Sequence, residues 1–258
     1  MIIFEYLWTV IRQSLQILAI GFLPYLIFAL LMQKISNSIR NRLVSLLGIK
    51  GYIYITAPGV MIHELSHAFF CVVFRHKVVE MKLFSPEADG TLGYVNHRYN
   101  PGSRFHRIGN FFIGSGPVWG GIFMLWLITL LFLPAEMLNF NHGAVDSFLK
   151  FLGHIFSADF WCRWQSYLWL YLVLTVSSHI TLSPPDLAGA KDGAITLIVT
   201  VFLFELFFGW SKSINTCIDN FLNKGFLYVS GVLGSFLLIT LLFSIILKLF
   251  IKKIKIGR

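Results

Sequence analysis

The stretch Pro58–Phe74, PGVMIHELSHAFFCVVF, places His63, Glu64 and His67 in an otherwise apolar run. Two histidines four residues apart share one face of a helix, about 6 Å apart along its axis. Both imidazoles can then reach one tetrahedral metal. With the intervening glutamate this is the HExxH pattern, in which the histidines hold zinc and the glutamate acts as general base toward water. Three fixed positions in five also arise by chance, and polar residues packed inside a helix bundle are the competing reading. The apolar surroundings weigh against chance. A charged group at the centre of a membrane helix costs about 2.5–3.5 kcal/mol on insertion scales, so ionisable groups there default to function.

A catalytic zinc needs a third protein ligand and one open position. The segment SSHITLSPPDLAGAKDG offers His179, Asp186 and Asp192. Asp186 follows Pro184 and Pro185, which break a helix and free backbone groups for binding. Glu205, inside VFLFELFFGW, is a further candidate and reads equally well as a hydrogen-bonded bundle residue. His97, His106, His142 and His154 fall in polar stretches and read as solvated.

The elements that must position these groups are membrane helices. The chain has 258 residues, 56% of them hydrophobic and 13% charged, with a mean hydropathy of +0.73. That is too apolar for a soluble domain of this length. Five segments approach the roughly 20 apolar residues a span requires, at 14–33, 52–74, 108–133, 161–182 and 225–250, with a shorter sixth at 193–210. The first reads as a retained helix rather than a cleaved signal. The expected fold is therefore an all-α integral membrane protein of about six transmembrane helices. It carries a membrane-associated β-hairpin between helices 2 and 3, because β-branched and aromatic runs flank the turn-rich PEADG within 77–98.

The net charge of +9 lies in short loops and in the tail KLFIKKIKIGR, which suits membrane orientation and argues against a nucleic-acid partner. Thirteen of the lysines and arginines fall on the side of the N-terminus, the 75–107 loop, the 183–192 loop and the tail, against eight opposite. That bias makes the first side cytoplasmic and puts the HExxH site toward it. Cys71, Cys162 and Cys217 are odd in number and lack CxxC spacing, so neither a disulfide framework nor a thiolate metal site is indicated.

HELSH at His63–His67, GSGPVWGG at Gly114–Gly121 and SPPD at Ser183–Asp186 together resemble the site-2 protease family of intramembrane zinc metalloproteases. The resemblance covers about 52–193. It divides the chain into a first helix and basic loop (1–51), a catalytic core (52–193) and C-terminal helices with a basic tail (194–258). It implies zinc held by His63, His67 and Asp186, with Glu64 as the catalytic base. It also implies close helix approach at Gly116 and Pro117, and substrate binding there and along Thr91, Leu92, Gly93, Tyr94 and Val95 of the hairpin. The partners expected are the lipid bilayer and a transmembrane protein or peptide, in the inner membrane of a bacterial cell. Two other classes remain open: a membrane zinc hydrolase acting on a lipid or small amphiphile, and a non-catalytic metal-binding membrane protein.

Overall fold

Long apolar runs fold as long helices, and the longest of them, over Ile2–Ile55, contains Pro24 and is kinked at Gly48, whose φ is +71°. The computed structural model describes residues 2–87, 90–133 and 144–256. Its elements are α1 (Ile2–Ile55), α2 (Ala57–Val73), β1 (Lys77–Lys82), β2 (Tyr94–Arg98), α3 (Arg104–Gly114), α4 (Gly116–Phe132), α5 (Ala144–Ile155), α6 (Ala158–Trp161), α7 (Trp164–Ser177), α8 (Pro184–Phe208) and α9 (Lys212–Ile256). His142 and two residues of the PEADG turn, Ala88 and Asp89, lie outside the described residues.

Among the described residues, three helices are long and apolar enough to cross a membrane: Ile3–Ile55, Pro184–Phe208 and Leu233–Lys253. The pair α3–α4, bent by 59°, makes a fourth if counted as one span. At 17 residues, α2 is a shorter apolar helix, and α7 has only 14. The expected segments at 161–182 and 193–210 are divided differently in the structure. Helix α7 stops at Ser177, residues 178–183 leave the helix, and α8 runs without interruption from Pro184 to Phe208. Pro184 and Pro185 occupy the first positions of α8, where a missing N–H is no loss. They start a helix rather than end the preceding one.

The hairpin is present. Strands β1 and β2 pair antiparallel, Lys77 opposite Arg98 and Lys82 opposite Tyr94, with an irregularity between Val78 and Glu80. Large apolar side chains such as Phe69, Leu131, Ile195 and Phe207 face outward, as the lipid-facing surface of a membrane bundle requires. The interior is built around Met32 of α1, Leu125 and Ile128 of α4, Trp169 and Val173 of α7, and Phe236 of α9. Inside it, the Trp169 indole N–H donates to Thr129 Oγ1 at 3.3 Å.

Helices α2 and α7 approach closely because position 59 has no side chain: a Cβ there would collide with the Thr175 carbonyl. Backbone cannot yield as a flexible side chain can. Gly59→Val should therefore destabilise the protein by about 1–3 kcal/mol or more and lower its thermal midpoint in detergent, followed by tryptophan fluorescence. Gly21→Ala, where a Cβ meets nothing within 4 Å, should leave the midpoint unchanged or slightly raised.

Candidate metal centre

Two helices supply the centre, α2 with two ligands and α8 with one. His63 and His67 project from the middle of α2 and Asp186 from the first turn of α8. Their ligand atoms all lie within 4.8 Å of one another. His67 Nε2 is 3.3 Å from His63 Nε2 and 3.2 Å from Asp186 Oδ1, while His63 Nε2 is 3.7 Å from Asp186 Oδ2.

The tautomers follow from the partners of the other ring nitrogens. His63 Nδ1 lies 2.9 Å from the His179 carbonyl and His67 Nδ1 2.7 Å from the Ile113 carbonyl. A carbonyl only accepts, so both Nδ1 atoms carry the proton and donate. In the neutral rings both Nε2 atoms then present lone pairs to the centre, beside a carboxylate. Three acceptors converge with no donor among them. A cation satisfies that arrangement, and the imidazole–imidazole–carboxylate set suits a transition-series divalent ion.

Sequence explains why both carbonyls are available. In a continuous helix the Ile113 carbonyl would accept from the N–H four residues on, but residue 117 is proline and has none. The helix bends at Ser115, and the His67 imidazole takes the vacant acceptor. On the other side, the position four residues beyond His179 is Ser183, whose N–H donates instead to Asp186 Oδ2 at 2.8 Å. The Ser183 hydroxyl accepts from the Asp186 N–H in return, completing a capping box at the start of α8. One capping interaction thus orients the carboxylate ligand and leaves the His179 carbonyl to His63. Close approach is again made by glycine: a Cβ on Gly114 would collide with the Asp186 carbonyl. Gly116 and Pro117 themselves lie in the contact between α2 and α4, where a Cβ on Gly116 would stand 3.3 Å from the Ser66 carbonyl oxygen.

The cluster opens onto a cleft of about 710 Å³ that Glu64, the loop residues Thr91–Gly93 and the start of β2 also line. Glu64 is buried, and the hairpin covers it directly, since a Cβ on Gly93 would lie 2.8 Å from Glu64 Cγ. The other proposed ligands are elsewhere. Asp192 Oδ2 accepts from the Asn110 amide at 2.6 Å and the Tyr99 hydroxyl at 3.2 Å, at the margin of the same cleft. His179 contributes its carbonyl, while its ring donates to the Thr175 carbonyl at 3.0 Å. Glu205 stands 19 residues beyond Asp186 on one helix, about 28 Å along it.

Sequence reading missed His76, which follows α2, and took His97 as solvated. His76 Nε2–H donates to the His106 carbonyl at 2.9 Å, so its Nδ1 accepts from His97 Nδ1–H at 3.1 Å. His76 also stacks on Tyr99 with ring centres 5.0 Å apart. This pair fastens β2 to the end of the HExxH helix. A signal was available, since His76 lies nine residues after His67, directly ahead of the predicted strand.

These observations define a helical membrane protein with a His–His–Asp group able to hold a metal ion. The chain matches no family model, no curated protein and no solved structure.

Removal of Asp186 by Asp186→Ala should abolish tight metal binding, whereas Asp192→Ala should retain it. Pro117→Ala restores a donor to the Ile113 carbonyl and should weaken metal affinity by about 10–100-fold, the range of outer-partner effects. Metal analysis after dialysis against graded chelator distinguishes the three. The hairpin fastening predicts a pH effect. Burial, then the charge that His76 and His67 carry when protonated, push His97 down to about 4, and burial lowers His76 as well. Both rings are neutral when docked, and an undocked strand binds protons near the ordinary value of about 6.5. Docking should be at full strength above that value and weaken as pH falls toward 4. Amide exchange of Tyr94–Arg98 should accelerate over that window, and His97→Asn should flatten the dependence.

Proposed function

We propose that the protein is an intramembrane zinc metalloendopeptidase of the site-2 protease type, cleaving transmembrane segments of other membrane proteins. The observation that carries this reading is the convergence of two Nε2 lone pairs and the Asp186 carboxylate beside Glu64 in a strand-lined cleft. His63, His67 and Asp186 would hold the ion, three protein ligands being the number a catalytic zinc site uses. Bound zinc supplies Lewis acidity, polarising the scissile carbonyl and acidifying water.

Glu64 accepts the proton from the attacking water as the oxygen–carbon bond forms. It returns that proton to the leaving nitrogen as the carbon–nitrogen bond breaks, so no external acid is consumed. The hairpin covering Glu64 keeps bulk water from the carboxylate. A transmembrane helix hides its carbonyls in its own hydrogen bonds and must be unwound before attack. β2 supplies a template: β1 occupies one of its edges, and Thr91–Val95 line the cleft, where an extended substrate backbone adds by strand pairing. The basic loops and tail support a site on the cytoplasmic side of a bacterial inner membrane.

Purified protein reconstituted in liposomes with a transmembrane peptide tests the reading. Glu64→Gln should keep the metal and reduce cleavage by about 10²–10⁴-fold. Proline placed at successive positions from Thr91 to Val95 should leave metal content near wild type and reduce cleavage of a stable helical substrate. A substrate loosened by glycine or proline near its scissile bond should be affected less. Release of acyl chains or headgroups from the liposomes, with the peptide intact, would instead indicate a lipid hydrolase. Metal binding without turnover of either would indicate a binding protein.

A further inference from the structure

Glu205 is excluded from the His–His–Asp centre by its distance, yet it is a carboxylate with only 1% of its surface exposed. It lies where α1, the end of α8 and the start of α9 meet. Its Oε2 has no hydrogen-bond partner, and the same holds for Gln13 Oε1 and Asn215 Oδ1. All three residues line one cavity of about 10 Å³, together with Gln16 and Asp219. The Asn215 side chain is anchored through its amide nitrogen, which donates to the Gly209 carbonyl at 2.8 Å, and that bond leaves its oxygen as the free end. Gly209 also makes room for the carboxylate, since a Cβ there would lie 2.9 Å from Glu205 Oε2.

The volume is that of a single water-sized occupant. A water has two protons and satisfies at most two of three acceptors, and it does nothing for the buried charge. A cation satisfies all three oxygens together. The three unpartnered atoms are all oxygens, and no imidazole or thiolate lines the cavity, which selects a hard ion rather than one of the transition series. Two carboxylates with two side-chain amide oxygens, on three separate helices, match the flexible all-oxygen coordination of calcium better than the rigid octahedron of magnesium.

We infer that Gln13, Glu205, Asn215 and Asp219 form a binding site for one calcium ion, separate from the His–His–Asp centre and tying α1 to the α8–α9 junction. Calcium there links helices that are distant in sequence, so its occupancy sets how firmly the far end of the Asp186 helix is held.

The test is calcium titration of the full-length protein in detergent, following thermal midpoint and bound calcium after chelator treatment. It is run in parallel on Asp186→Ala, so that binding at the His–His–Asp centre is not scored. About one calcium per chain is expected, with a midpoint that rises with calcium concentration in both proteins. Glu205→Gln should weaken calcium binding by more than about 100-fold, beyond what outer partners contribute. Asp219→Asn, a milder change at an exposed position, should weaken it measurably and serves where Glu205→Gln does not fold. No bound calcium in the folded wild-type chain would overturn the site in favour of a protonated, water-linked Glu205. Stabilisation by magnesium or sodium but not by calcium would overturn the assignment of the ion.

Discussion

Two imidazole nitrogens and a carboxylate face one another with no proton to share, and the rest of the core is arranged to keep them so. Each ring is pinned from behind by a backbone carbonyl, and each carbonyl is free only because the chain fails to continue a helix at that point. The bend between α3 and α4 and the non-helical 178–183 segment are therefore parts of the centre, not interruptions of the bundle. Small residues at 59, 114 and 116 let the backbones come near enough for the rings to reach.

The chemistry was legible in the sequence where spacing alone determines geometry. Four residues on a helix fix the relation of His63 to His67 wherever that helix lies, and the SPPD segment announced a carboxylate beside a helix end. The hairpin was legible because its turn chemistry is local. Less legible was which helix owned Asp186, since Pro184 and Pro185 fit both the end of one helix and the start of the next; the Ser183 cap decides for the latter. The number of spans was read from hydropathy, which is indifferent to breaks. Six segments were expected, while among the described residues three helices, or four with the bent pair, have the length and apolarity to cross.

The outer-sphere partners were not legible at all. Nothing in the local sequence says that the Ile113 carbonyl will meet His67 across 46 residues, or that His97 will bond His76 across 21. Such contacts depend on how α2 sits against its neighbours, which is fixed by close packing of many side chains at once. Pro117 illustrates the gap: its place in a small-residue motif suggested helix approach, while its missing N–H is what leaves the Ile113 carbonyl to the His67 ring on α2.

The separation of the ligands along the chain has a consequence for the protein's birth. His63 and Asp186 are 123 residues apart, and translation proceeds at about 5–20 residues per second. Roughly 6–25 s therefore pass at the ribosome between the making of the first ligand and the last. During that interval the nascent α2 holds two histidines and a glutamate but no complete cage. The metal-holding group is complete only once the helix beginning at Pro184 has been delivered into place.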